Sequence, residues 1–372
     1  MTITIAGNYI TRFGELWDQG LTDLLIEASL GAVKNANLES SQIEAVFVAN
    51  MAGGNFNDQR HLNAAVSQVF FHHPPAMRIE GACASGGLAL LAAEHALLAG
   101  QYQTVLVVGA EKMLDVTTSV ATKILATAAD TTEEYGSTFP GLYAMLARAH
   151  MSEHGTTRDQ LSSVAVKNHL HGLTNPYAQY KTKISVEQVN QSPLVSDPLR
   201  LLDCSPLTDG AAAVVLTIKR VVKKPIIIGF GHGQDSLTLA GRKKLTTLSA
   251  TVNAAKQAYQ RSTITPTQVQ VAEVHDCFTI AEILAIEDLG FFKLGAGGKA
   301  SQTGKTTHGG KIVINPSGGL KASGHPIGAT GIKQVAYLAQ QIEKSAFNVC
   351  LAHNVGGSGA TAVVHVLKGS KS

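Results

Sequence analysis

Charged side chains are scarce in this chain: they make up 15% of its 372 residues, and the formal net charge is only +3. So small a positive excess, with no Lys/Arg cluster interleaved with aromatics, excludes a nucleic-acid binder. Two short basic stretches, Val221–Pro225 and Gly241–Lys244, read as solvated turns, the second with room nearby for a phosphate-bearing ligand. Long apolar runs are missing too, since glycine or a polar residue interrupts each one before it reaches membrane-spanning length. The opening Met1–Gly7 begins directly as a strand, with no basic region, apolar core or small-residue cleavage site. The closing Lys368–Ser372 carries no lipidation or peroxisomal address. Cysteine is sparse as well: Cys83, Cys204, Cys277 and Cys350 are scattered and lack CxxC spacing, which argues against a disulfide framework and a structural zinc site. Together these absences set the expectation of a reduced, cytoplasmic protein with no metal, no membrane and no nucleic-acid partner.

What is abundant is small and apolar. The hydrophobic share is 45% and there are 36 glycines, enough for a large core with tight turns and close backbone packing. Low charge combined with small apolar residues also points to an extensive subunit interface. Short β-branched runs alternate with Ala/Leu-rich helical ones, the pattern of an α/β protein with mainly buried strands. Ile43–Ala49 and Thr104–Gly109 read as strands, and Leu21–Val33 and Leu88–Leu98 as helices. Near the C-terminus the order returns: a helix from Gly328 to Ile342, a strand Asn348–Ala352, a glycine turn, and a strand Ala360–Leu367.

That repetition extends to letters. Asp209–Ile218 resembles Ser358–Leu367, and each closes a block in which a glycine-rich helix entry precedes a helix and a strand. The entries are Gly81–Gly87 and Gly318–Gly331, so an internal duplication would place Cys83 and His325 at equivalent positions in two facing halves. Residues 1–222 form the first half and 223–372 the second, with Pro225 near the boundary. Within the first, residues 116–202 lose clear periodicity and gather His150, His154, His169 and His171. They read as an inserted loop domain over one face of that half, the usual place for binding loops.

Four clusters can carry chemistry. Cys83 lies in Gly81-Ala82-Cys83-Ala84-Ser85-Gly86-Gly87, where a turn enters a helix whose free N–H groups favour a thiolate nucleophile. The bland alternative is a small buried apolar residue, the fate of most intracellular cysteines. His275-Asp276-Cys277-Phe278 sits at a second strand-to-helix turn; its alternatives are a packed cysteine beside a solvated histidine, or half a metal site lacking further ligands. Gly324 and Pro326 hold His325 in a rigid turn, and Asn354-Val355-Gly356-Gly357 lets a backbone N–H approach a ligand closely. Two other motifs fail. Gly298 and Gly304 are separated by five residues where a P-loop needs four, and Gly229–Gly233 is not a dinucleotide fingerprint, so no nucleotide cofactor is indicated.

Taken in order, Cys83-Ala84-Ser85-Gly86, His275-Asp276-Cys277-Phe278, Gly324-His325-Pro326 and Asn354-Val355-Gly356 resemble the four active-site loops of the thiolase superfamily. The likeness is greatest to its sterol-carrier-protein-type and archaeal-type branches. The resemblance covers essentially the whole chain. It implies an α/β thiolase fold, with duplicated β-α-β-α-β-α-β-β halves in a five-layered α-β-α-β-α arrangement and an inserted loop domain, assembled as a homodimer or homotetramer. Familiar thiolases carry an Asn-Glu-Ala-Phe loop and a second catalytic cysteine in a Cys-x-Gly loop. Here His275-Asp276-Cys277-Phe278 and Asn354-Val355-Gly356 stand in those places, and the second cysteine has moved to Cys277, leaving Cys350 as a core residue.

The implied activity is that of an acetyl-CoA C-acyltransferase, foremost the reversible joining of two acetyl-CoA molecules into acetoacetyl-CoA. Cys83 would carry the acyl group and Cys277, with its thiol lowered toward neutrality, would move the second proton. His275 and His325 would form one oxyanion hole, and the N–H groups of Cys83 and Gly356 the other. Asn354 belongs to the same site, and coenzyme A would pass Ser205 and Phe278, with no cofactor beyond the thioester substrates. Archaeal-type relatives can also recruit a zinc-ribbon/OB-fold partner protein. The alternatives are a thiolase for longer or branched 3-ketoacyl-CoA, a ketoacyl-ACP synthase, and a non-catalytic binder of CoA esters.

Overall fold

The computed structural model describes residues 2–370 and contains twelve strands. In chain order they are β1 (Ile3–Ile10), β2 (Ala45–Ala49), β3 (Ala76–Ile79), β4 (Thr104–Glu111), β5 (Leu194–Ser196), β6 (Leu199–Arg200), β7 (Gly210–Thr217), β8 (Ile226–Gln234), β9 (Val271–Glu273), β10 (Val313–Ile314), β11 (Val349–Gly356) and β12 (Thr361–Lys368). Apart from the β5–β6 hairpin they form one sheet, ordered β10-β9-β11-β12-β8-β1-β7-β4-β2-β3. Read outward from the β1–β8 junction, both halves give the same series: first, fifth, fourth, second and third strand of the half. Directions repeat as well. The β2–β3, β2–β4, β9–β10 and β9–β11 pairs are parallel, and the pairs flanking β7 and β12 are antiparallel. The halves meet where Ile3 and Thr4 pair with Ile227 and Ile226. Such agreement in both order and direction is a duplication.

Alternation along the strands decides what covers each face. Val105, Val107, Ala212, Val214 and Leu216 point into a core shared with Ala89, Ala93 and Leu97 of helix Ser85–Leu98 and Ile332, Val335 and Ala339 of helix Ile327–Glu343. Their neighbours Leu106, Val108, Ala211, Ala213 and Val215 face Leu24, Leu25, Ala28 and Ala32 of the outer helix Leu21–Asn35. In the second half Leu351, Ala362, Val364 and Val366 take Ala254 and Ala258 of helix Ser249–Ser262 in the same way. The result is helix, sheet, paired central helices, sheet, helix. Strands buried on both faces explain the near-continuous apolar runs, each buried Val or Leu contributing about 1.5–3 kcal/mol.

Glycines set how closely the layers approach. A Cβ on Gly86 would lie 2.8 Å from the Gly331 nitrogen, so the two central helices touch backbone to backbone at their N-terminal turns. Along β8, Gly229, Gly231 and Gly233 press against the carbonyls of Ala258, Ala254 and Ala250, a strand period meeting a helix period. That close packing explains the glycine series that is no dinucleotide motif. Gly86 and Gly87 are helical, and so the helix expected from Leu88 starts at Ser85.

The inserted segment also packs against the second half. Its helices Phe139–His154 and Arg158–Gly172 build their core with the second half: Leu142, Leu146, Leu161 and Val164 pack on Phe278, Ile280, Ile283 and Leu320. Two of its histidines fasten this contact, while Leu125, Phe139 and Tyr143 of the same segment line a cavity. His150 reaches Glu287 at 3.2 Å, and His171 Nδ1 donates to the Asn315 carbonyl at 3.0 Å. The Gly241–Lys244 turn departs from expectation: Arg242 is buried and donates to Ser358 O at 2.8 Å and Ser358 Oγ at 3.0 Å. Among the described residues, no helix is long and apolar enough to cross a membrane.

Gly331→Ala should destabilise the protein by about 2 kcal/mol or more, because its Cβ would meet Gly87 N and Asn354 Oδ1 at a contact with no room to yield. Chemical denaturation measures this, and an unchanged midpoint would show that the helix crossing is not tight.

Candidate active site

The turn that carries Cys83 is set by its own neighbours. Ser85 Oγ accepts from Gly81 N–H at 3.0 Å and donates to the Ala82 carbonyl at 2.6 Å, closing the loop locally. Ala82 sits at φ 52°, a left-handed conformation that a residue with a Cβ adopts at a cost. The helix starts at Ser85, and the half-buried Cys83 lies just before it at the floor of a cavity.

Three further turns converge there. Gly324, at φ 107°, delivers His325 to the entry of helix Ile327–Glu343, where its backbone N–H donates to Thr208 Oγ1 at 3.0 Å. The Thr330 hydroxyl gives its proton to the Pro326 carbonyl at 2.9 Å, so at 2.7 Å it accepts from His325 Nδ1–H. His325 Nε2 therefore holds a lone pair. The His275 loop is pinned by Asp276, whose carboxylate accepts from Leu320 N–H at 2.6 Å and Asn168 Nδ2 at 2.6 Å.

Asn354, near the end of β11, fixes the other imidazole. Its Oδ1 accepts from Gly87 N–H at 3.0 Å, which leaves Nδ2 to donate to Cys83 O at 2.9 Å and His275 Nδ1 at 3.2 Å. The proton of His275 is thus on Nε2, a buried donor with no partner. The two rings meet edge to face with centroids 5.0 Å apart. A ring nitrogen of each and the Cys83 sulfur lie within 4.8 Å of one another. These three donors could suggest a metal, but the tautomer of His275 presents a proton rather than a lone pair, so the set does not fit a cation.

Electrostatically the site is neutral at rest. Burial pushes the Cys83 thiol up to about 12, although N–H groups of Gly357 and Cys83 itself pull the other way. Burial, then the neighbouring Cys83, raises Cys277 well above the ordinary thiol value. His325 is held down at about 3, by burial and then Lys333, and burial lowers His275 well below the usual imidazole value. The expectation of lowered thiols is therefore corrected. A helix terminus supplies at most about 2 kcal/mol, and losing water around a charge outweighs it. His325 Nε2, with its lone pair, borders the same cavity as the Cys83 sulfur.

Cys83, Cys277, His325, Ser205 and Phe278 all border the same cavity of about 190 Å³. Asn354 stands behind it. Gly356 does too, its Cα packed against the Gly81 carbonyl, while Gly357, one residue on, lines the cavity and aims its N–H at Cys83. Cys204 and Tyr143 also line it, neither having been singled out in the sequence. A cue for Cys204 existed in its neighbour Ser205; Tyr143 had none, since its contacts are with residues far along the chain. Cys350 is fully buried in the central core. Met51, Met113, Leu125, Leu207 and Ile327 make one wall apolar, in the cluster that Cys83 packs against.

A thiol, two imidazoles of opposite tautomer and aimed backbone N–H groups define an acyl-transfer site on a duplicated α/β fold. Residues 3–220 match the family model described as Thiolase, N-terminal domain, and residues 231–369 the one described as Thiolase C-terminal domain-like. The chain belongs to the thiolase family. It is 44% identical to an acetyl-CoA acetyltransferase of Methanothermobacter thermautotrophicus over 98% of both chains. To a sterol carrier protein 2 of Bos taurus it is 30% identical, over 97% of this chain and 71% of that one. An Ltp2–ChsH2(DUF35) aldolase shares the fold at a TM-score of 0.85 and 22% identity, covering 100% of this chain and 98% of that one.

With Cys83 resting as a thiol near 12, its alkylation by iodoacetamide in the absence of substrate should keep climbing through pH 9. A plateau below pH 8, followed by mass spectrometry of the peptide, would contradict the neutral resting site.

Proposed function

We propose that this protein is an acetyl-CoA C-acyltransferase that interconverts two acetyl-CoA molecules with acetoacetyl-CoA and free coenzyme A. The observation that carries the reading is the unpartnered Nε2–H of His275, on a ring held by Asn354 with one of its nitrogens within 4.8 Å of the Cys83 sulfur. Cys83 passes its proton to His325 and attacks the thioester carbonyl of the first acetyl-CoA. Its own N–H and that of Gly357 receive the oxyanion, and coenzyme A leaves with the proton from His325. Cys277 then hands its proton to the freed His325 Nε2 and, as thiolate, removes an α-proton from the second acetyl-CoA. The enolate oxygen is held by His275 Nε2–H and the reprotonated His325 Nε2–H, the carbon attacks the acetyl group on Cys83, and the departing Cys83 sulfur takes back the proton from His325. Each donor of this kind is worth about 10²–10³ in rate. The thioester acidifies the α-carbon, so the scheme uses no metal or prosthetic group.

Coenzyme A enters past Ser205 and Phe278, which border the cavity. The working form is a homodimer or homotetramer in the cytoplasm. Its support is β3, a strand at the end of the sheet, which carries the half-exposed Met77 near the fully exposed Phe71. A zinc-ribbon/OB-fold partner belongs to the proposal because one fold neighbour is an Ltp2–ChsH2(DUF35) aldolase. The apolar wall of Met51, Met113, Leu125, Leu207 and Ile327 favours a second reading, in which longer or branched 3-ketoacyl-CoA esters are the substrates.

Incubation with acetyl-CoA and intact-mass measurement should show one acetyl group on the native chain and on Cys277→Ala, and none on Cys83→Ala. Cys277→Ala should also lose deuterium exchange at the acetyl methyl by at least about 100-fold. Labelling that persists in Cys83→Ala removes it as the nucleophile, and thiolysis confined to long acyl chains would favour the second reading.

A further inference from the structure

Tyr143 reaches the site from helix Phe139–His154 of the inserted segment and is 1% exposed. Its ring lies against Phe278, centroids 4.7 Å apart and planes tilted by 31°. Its hydroxyl donates to the Gly357 carbonyl at 3.2 Å, and Tyr143 shares both a packed cluster and the cavity wall with Cys277. A phenol has one proton to give. While that proton goes to Gly357, the oxygen can only accept from Cys277, so the thiol state is Cys277 S–H to Tyr143 Oη, with Tyr143 O–H to Gly357 O. The Gly357–Ser358 turn that supplies this acceptor is itself clamped by Arg242, through Ser358 O and Ser358 Oγ.

We propose that Tyr143 is a positioning residue for the second proton transfer, turning its hydroxyl from the Gly357 carbonyl to the Cys277 sulfur whenever that sulfur is a thiolate. No proton changes owner on Tyr143: the S–H proton goes to His325 in condensation or to substrate carbon in thiolysis, and the O–H bond only swings. The hydroxyl thus offers an acceptor to the thiol and a donor to the thiolate, and it lowers the cost of ionising a sulfur that sits in a dry pocket. The titratable groups facing Cys277 are Cys83, Asp276 and Tyr143, and of these only Tyr143 works toward the anion. The proposal rests on the reading of Cys277 as the acid/base given above.

Tyr143→Phe keeps the ring on Phe278 and removes the hydroxyl alone. Deuterium exchange at the acetyl methyl should fall roughly 10- to 150-fold, the value of a hydrogen bond to a charged group. Its pH profile should shift to higher pH, while the rate of Cys83 acetylation and the KM for acetyl-CoA stay within about twofold. Equal loss of exchange and acetylation would overturn the proposal, because Tyr143 would then merely brace Gly357; so would exchange that does not change. Cys277→Ala separates the two failures. If it retains exchange, the acid/base reading itself is wrong, whereas if it loses exchange and Tyr143→Phe does not, only the role of Tyr143 falls. Should Tyr143→Phe not fold, 3-fluorotyrosine at position 143 keeps the hydroxyl, makes it a better donor, and should move the exchange profile to lower pH; an unmoved profile overturns the proposal.

Discussion

The Asn354 amide joins three segments that the chain keeps far apart. It accepts from the first turn of the central helix of the first half, at Gly87, and donates to the Cys83 carbonyl beside the nucleophile and to His275 in the second half. An amide has fixed donor and acceptor ends, so these bonds hold together or not at all. They can form only because Gly86 and Gly331 let the two central helices meet backbone to backbone. The duplication therefore does more than enlarge the core: it brings two equivalent helix entries face to face, one bearing a thiol and the other an imidazole.

From that constraint the chemistry follows by elimination of protons. Asn354 leaves His275 with its proton on Nε2, and Thr330 leaves His325 with a lone pair on Nε2. One ring presents a donor and the other an acceptor. Burial raises both thiols above their ordinary value. A buried polar framework holds the loops in place, with Asp276 on the Leu320 amide and Glu111 on the Gly328 amide at 3.0 Å.

Much of this was legible in the sequence because it is local. The helix entries at Cys83 and His325, the strand-to-helix turn at His275 and the repeated strands at Asp209–Ile218 and Ser358–Leu367 all announce themselves within a dozen residues. What was not legible depends on contacts between distant segments. Nothing near Tyr143 says that it reaches Gly357, and nothing near Arg242 says that it is buried on Ser358. The choice of Gly357 over Gly356 depends on how β11 ends against the Gly81 loop, a matter of register rather than composition. The thiol values went the other way because a helix terminus is visible in sequence and the dryness of a pocket is not.

The most direct test is a crystal structure of Cys277→Ala soaked with acetyl-CoA, which should halt after the first transfer. The account predicts an acetyl group on the Cys83 sulfur, its oxygen between the N–H groups of Cys83 and Gly357, with His275 Nε2 still facing the space beside it. An acetyl group on Cys204, or its oxygen turned toward the apolar wall at Met113, would contradict it.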